Sequence, residues 1–186
     1  MHVPEFSAGE LTLRPIKDTD TAALFKLFSN DEVTRYMDIA SFNNIIEATQ
    51  IIAHFREQQQ TDQGFRVAIT FAEKDELIGT CGFHNWKKAH YKAEIGYDLM
   101  PEYWGHGIMT AAVGALVAFG FREMELNRIE AFVDPVNNAS AKLLQRLGFT
   151  REGLLRDAFF EKGSFVDADI YSLLKAEHAI TILGKY

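Results

Sequence analysis

The segment Trp104-Gly105-His106-Gly107-Ile108-Met109-Thr110 has the residue types and spacing to do chemistry, because it sets two glycines directly before residues 108–121, which carry almost nothing polar except Thr110. That length and composition predict a buried helix rather than a strand. The first turn of a helix leaves backbone N–H groups without partners and holds the positive end of the macrodipole, so an anion is favoured there. Residues without a Cβ let that anion come close to the backbone, and phosphate is the fitting anion. The same glycines would also serve an ordinary tight turn, and G-x-G alone does not separate the two readings. Two other phosphate loops are excluded: there is no GxxxxGK[ST] run, and a dinucleotide GxGxxG would need glycine where Thr110 stands.

A second constellation, Asn137-Asn138-Ala139-Ser140, precedes a short amphipathic stretch that ends at Gly148-Phe149. Asn137 has the side chain of a helix N-cap. Elsewhere, His84 and Asn85 close a predicted strand and are placed to line a cleft, with a hydrogen-bonded structural histidine as the other reading. Cys81, between Thr80 and Gly82, reads as a small core residue. The six histidines show no ligand spacing, so no metal is indicated.

These residues need a scaffold, and hydrophobic periodicity supplies its outline. Strands are predicted at residues 11–16, 64–71, 77–83, 93–99, 129–133, 150–155 and 166–174, with a tight turn around 73–76. Helices are predicted at 21–28, 44–60, 108–121 and 140–147. Asn44 followed by Glu47 marks the start of the second helix and Gly148 the end of the fourth. The order β-α-α-β-β-β-α-β-α-β-β predicts an α/β fold built on a mixed sheet.

A length of 186 residues and 47% hydrophobic content suit one domain, residues 1–186 with a core at about 11–174. The formal charge of -7 disfavours nucleic acid and favours a cationic partner. One cysteine excludes an internal disulfide and any CxxC motif, which fits a reducing compartment. No stretch approaches the roughly 20 apolar residues of a membrane span, and the first ten residues lack a signal-like apolar run. A cytoplasmic protein with no membrane partner is expected.

Taken together, the two motifs resemble the GNAT superfamily of N-acetyltransferases, whose first motif is [QR]-x-x-G-x-[GA] and whose second is N-x-x-[AS] leading to G-F. Ala93-Glu94-Ile95-Gly96-Tyr97, Tyr103-Trp104-Gly105-His106-Gly107, Glu152-Gly153, Gly163, Asp167 and Tyr171 are similar to the RimJ/RimL-like branch, which acetylates N-termini of ribosomal proteins. The resemblance implies an α+β, mostly antiparallel sheet of about seven strands flanked by about four helices, splayed between the strands near 93–99 and 129–133. It implies acetyl-CoA as co-substrate and an acyltransferase that moves acetyl to a primary amine.

Residue by residue, the resemblance assigns Leu99, Met100, Trp104, Gly105, His106, Gly107, Ile108, Met109, Thr110 and Asn137 to the cofactor. His106 also reads as facing solvent, and Leu99 and Met100 also read as ordinary core. The resemblance assigns Glu94 as the base, directly or through a water, and Ser140 as the acid, and the strand-end position of His84 and Asn85 puts them in the acceptor cleft. A surface carboxylate is the other reading of Glu94. Trp104 and Met109 depart from the general motif, and Leu144 stands where many members carry an acidic tyrosine. The expected acceptor is a protein or peptide N-terminal α-amine. A polyamine or aminoglycoside acceptor, and a non-catalytic acyl-CoA-binding module, are the alternatives, and a homodimer is allowed.

Overall fold

The structure, a computed structural model, describes Val3 and residues 5–178. Alternating apolar residues fold into β1 (Phe6–Ala8), β2 (Leu11–Pro15), β3 (Phe65–Phe71), β4 (Lys74–Lys87), β5 (Lys92–Leu99), β6 (Arg128–Val133), β7 (Thr150–Glu161) and β8 (Ser164–Leu174). They form one sheet in the order β1-β2-β3-β4-β5-β6-β8-β7. Every neighbouring pair is antiparallel except β5 and β6. A parallel pair needs a crossover connection, and α4 (Ile108–Arg122) provides it.

The helices cover both faces. On one face α4 packs Ala112, Val113, Leu116 and Val117 against Phe65, Val67, Cys81, Phe83, Ala93 and Ile95. On the other, Leu24, Leu27 and Phe28 of α1 (Thr21–Phe28) and Ala48 and Ile52 of α3 (Ile45–Gln60) cover Ala68, Leu77 and Met100. A fully buried side chain such as Leu116 contributes about 1.5–3 kcal/mol over leaving it in water. Gly82 lets β3 and β4 approach, since a Cβ there would lie 2.1 Å from the Phe65 carbonyl oxygen.

α3 begins as Asn44 and Glu47 predict: the Asn44 side chain accepts from Ile46 N–H at 3.0 Å, and Glu47 accepts from the Asn44 amide at 2.8 Å. Four features differ from the expected outline, the first being β4, which runs from Lys74 to Lys87 rather than 77–83 and so takes in most of the turn expected at 73–76 and extends past His84 and Asn85. The eighth strand is β1, three residues long and held by stacking of Phe6 on Phe119 with centroids 5.2 Å apart. The strand expected at 150–155 runs on to Glu161, and α2 (Asp31–Thr34) is added after α1. The β7–β8 hairpin reaches back to α2, where Lys162 Nζ donates to the Thr34 carbonyl at 2.7 Å. Cys81 is buried, and burial pushes its thiol up to about 12.

Candidate active site

Gly105 and Gly107 both have φ of +79°, the left-handed conformation that glycine adopts without cost. Gly107 caps α4, and the first rung of the helix runs from Ala111 N–H to the Gly107 carbonyl at 3.0 Å. The amides of Ile108, Met109 and Thr110 precede that rung and have no partner within the helix. A Cβ added at either glycine would meet no atom within 4 Å, so the loop is open to solvent at both positions. The Trp104 indole N–H fixes the loop by donating to the Leu99 carbonyl at 2.8 Å. His106 is exposed, whereas the Met109 side chain is buried in the core, leaving only its backbone for a ligand.

Beside this loop the sheet opens. β5 and β6 are matched at three positions only, Lys92 with Arg128, Ala93 with Ile129 and Glu94 with Glu130. Beyond Glu94, β5 stays on β4 as far as Leu99, while β6 stays on β8 as far as Val133. The resulting gap is the expected splay.

Its closed end is clamped by charge. Glu130 accepts from Lys92 at 2.8 Å and from Arg128 at 2.7 Å, and Arg128 also forks onto Glu152 at 2.8 and 2.7 Å. Burial works to raise the Glu130 carboxyl, but the hydrogen bonds from Lys92 and Arg128 outweigh it and leave the group below its ordinary range.

Along β5 the backbone alternates between the two edges of the strand. Met100 N–H donates to the Ile78 carbonyl on the β4 side at 2.9 Å, so the amides of Tyr97 and Leu99 face the gap. Leu99 is therefore placed to offer a donor there. Met100 is not, because its amide is taken and its side chain lies in the α1–α3 cluster.

The side chains alternate between the two faces. Glu94, Gly96 and Asp98 lie on the α3 face. There Glu94 Oε2 is 3.3 Å from His84 Nε2, and Asp98 pairs with Arg66, whose guanidinium lies over the Phe55 ring of α3. Gly96 makes room for this group, since a Cβ would come within 2.9 Å of Arg66 Nη1 and 3.4 Å of His84 Cε1. Asn85 is exposed, at a bulge in β4 where φ is +48°.

Tyr97 turns to the α4 face. Its hydroxyl lies 2.6 Å from Ser140 Oγ in the first turn of α5 (Asn138–Arg146). Asn137 caps that helix by accepting from Ser140 N–H at 3.1 Å. Leu144 is fully buried core.

The structure thus brings Glu94 and His84 together on one face of the gap and Ser140 on the other. Sequence reasoning missed Tyr97 and the Arg66–Asp98–Thr80 group, in which Arg66 Nε also donates to Thr80 at 2.9 Å. The signal for Tyr97 was present: it stands three residues after Glu94 in the same strand, and odd spacing puts it on the opposite face.

A helix start with unpaired amides beside a split sheet, with a carboxylate on one side and hydroxyls on the other, has the chemistry suited to group transfer from a phosphate-bearing donor. Comparison with known proteins agrees. Residues 10–150 match the family described as acetyltransferase (GNAT) domain. The chain is 43% identical over 169 residues to the uncharacterized N-acetyltransferase p20 of Bacillus licheniformis, covering 91% of this chain and 95% of that one. It is 40% identical over 172 residues to the uncharacterized N-acetyltransferase YoaA of Bacillus subtilis, covering 92% and 97%. Among solved structures it is similar to the ribosomal-protein-S5-alanine acetyltransferase from Vibrio fischeri, with a TM-score of 0.80, 25% identity, and coverage of 93% and 97%.

The chain belongs to the GNAT acetyltransferase family. It is an N-acetyltransferase, an enzyme that moves acetyl from acetyl-CoA to an amine. No helix among the described residues is long and apolar enough to cross a membrane.

Proposed function

We propose that the acceptor is a protein or peptide N-terminal α-amine, attacked directly while both substrates are bound to this one domain. The observation that carries direct transfer is the placement of Glu94 and Ser140 on opposite faces of the β5–β6 gap, with the amides of Ile108, Met109 and Thr110 at the start of α4. Those amides, with Gly105 and Gly107 bared, hold the pyrophosphate of acetyl-CoA. His106 and Trp104 flank it, Trp104 acting through its bond to Leu99. Asn137 acts by fixing the start of α5.

In the reaction, Glu94 takes the proton from the incoming amine, directly or through a water, with His84 lining that side. General-base help of this kind is worth about a hundred- to ten-thousand-fold. The gap-facing amides of Leu99 and Tyr97 stabilise the negative charge that develops on the thioester oxygen. Ser140, on the far side, serves the departing sulfur.

An α-amine needs less help than a lysine-like one, because its pKa of about 7.7–8.0 leaves part of it free at neutral pH, against about 10.4 for lysine. The likeness to a ribosomal-protein-S5-alanine acetyltransferase supports a protein acceptor. The charge of -7 suits any cationic acceptor and does not divide peptides from polyamines. A cytoplasmic location suits such a substrate. The test is thiol release from acetyl-CoA across N-terminal peptides, polyamines and aminoglycosides. Peptide-only activity is expected, and polyamine-only activity refutes the acceptor.

A further inference from the structure

The Tyr97 side chain has no role in the reaction as proposed so far, yet its hydroxyl is 2.6 Å from Ser140 Oγ. The contact spans the split in the sheet. Tyr97 lies on β5 three residues beyond the last β5–β6 rung, and Ser140 lies on the helix that follows β6. The Tyr97 ring packs against the α4 core and its hydroxyl meets Ser140. A serine hydroxyl rotates freely unless a partner fixes it.

We propose that Tyr97 is a positioning residue for the leaving group: its O–H donates to Ser140 Oγ, which turns the Ser140 O–H toward the sulfur that departs from the acetyl carbon. The inference rests on the reading of Ser140 given above. Donation in this direction follows from the acidity of the two groups, since a phenol is the stronger donor of the pair. It also lines up phenol, alcohol and sulfur so that each bond polarises the next.

The electron count of the step is simple. The amine lone pair forms the N–C bond, the C–S pair goes to sulfur, the amine proton goes to Glu94, and the thiolate takes a proton from solvent after it leaves. Tyr97 keeps its proton throughout. Burial, the main cause, pushes its pKa up to about 12, and the hydrogen bond with Ser140 only partly offsets that. Full transfer to a thiolate with a pKa of about 8.5 is then unfavourable by more than a thousandfold. Hydrogen bonding to the thiolate is the contribution. The other titratable groups that act on Tyr97 are its chain neighbour Asp98 and buried Tyr171 of β8.

The test follows the thiol pKa of protein-bound CoA through the ultraviolet absorbance of the thiolate, read as a difference from CoA-free protein. This readout needs no acceptor. Tyr97→Phe keeps the ring and removes only the hydroxyl, and Ser140→Ala removes the partner. Each raises the bound thiol pKa by a similar amount, and the double variant raises it no further. With an alanine-initiated peptide as acceptor, Tyr97→Phe lowers kcat about tenfold and leaves the acetyl-CoA KM within about twofold, the effect of one lost hydrogen bond of about 1.4 kcal/mol. A thiol pKa unmoved by Tyr97→Phe, or shifts that add in the double variant, overturns the proposal. Absence of acetyl transfer to that peptide, with the thiol shifts intact, instead counts against the acceptor assignment.

Discussion

Gly107 carries two separable demands, a left-handed backbone and an open approach to the α4 amides, and two substitutions divide them. At φ +79° an ordinary L-residue pays about 1–2 kcal/mol, whereas asparagine tolerates this region. No atom lies within 4 Å of a Cβ at this position, so the expected stability cost is chiefly that of the backbone. For a chain of this size, each kcal/mol shifts Tm by about 2–4 °C. Gly107→Val should therefore lower Tm by about 2–8 °C and Gly107→Asn by about 2 °C or less, measured by calorimetry. On the proposed placement of the pyrophosphate, a side chain at this position crowds its approach, so both should weaken acetyl-CoA binding at least tenfold, about 1.4 kcal/mol by isothermal titration. A folded Gly107→Asn protein that binds acetyl-CoA with unchanged Kd would refute the assignment of these amides to the pyrophosphate.

Other outcomes follow from the same geometry. Glu94→Gln should keep acetyl-CoA affinity and lose about a hundred- to ten-thousand-fold in turnover, and steady-state rates that match the parent would remove Glu94 from the reaction. Glu130→Gln leaves Lys92 and Arg128 facing a neutral group. Both cations are partly exposed, so the cost should fall at or below the low end of the range for broken buried pairs, about 2–3 kcal/mol by urea unfolding. Because the Glu130 carboxyl is held below its ordinary value of 4.5, its contribution is complete above about that pH and disappears as the pH falls through the lowered value. The stability gap between parent and Glu130→Gln should therefore close in acid, and a gap that is constant from pH 7 to pH 3 would contradict the clamp. Gly82→Ala forces a Cβ to within 2.1 Å of the Phe65 carbonyl, and a loss of about 3 kcal/mol or failure to fold is expected; a parental urea midpoint would show that β3 and β4 can separate there without penalty.

Where an element carries its own signal, the sequence is a good guide. The capping pair Asn44 and Glu47, the apolar run of α4 and the alternation in β3 are local patterns, and each element stands where its pattern predicts. β7 was cut short because Arg156, Asp157 and the exposed Phe159 and Phe160 lack the alternation of a half-buried strand. What carries the strand on is pairing with β8, where Phe159 meets Val166 and Phe160 meets Phe165 after a register shift that takes in Arg156 and Asp157. β1 is too short to show any period.

The site divides in the same way. The two glycines are legible because their conformation leaves a compositional mark. The meeting of Glu94 with His84, and of Arg66 with Asp98, depends on strand register across β3, β4 and β5, which no local pattern prints. Met100 shows how a neighbour can mislead: adjacent to Leu99 in sequence, it belongs to the other edge of the strand by backbone and to the other face by side chain.

The early parting of β5 and β6 also bears on traffic. With the carboxylate reached from the α3 side and the hydroxyl pair from the α5 side, the proposed arrangement gives nucleophile and acyl donor separate doorways into one chamber. The acetylated product can withdraw the way its amine arrived while the spent thiol backs out through the opposite entrance, so neither has to wait for the other to clear the passage.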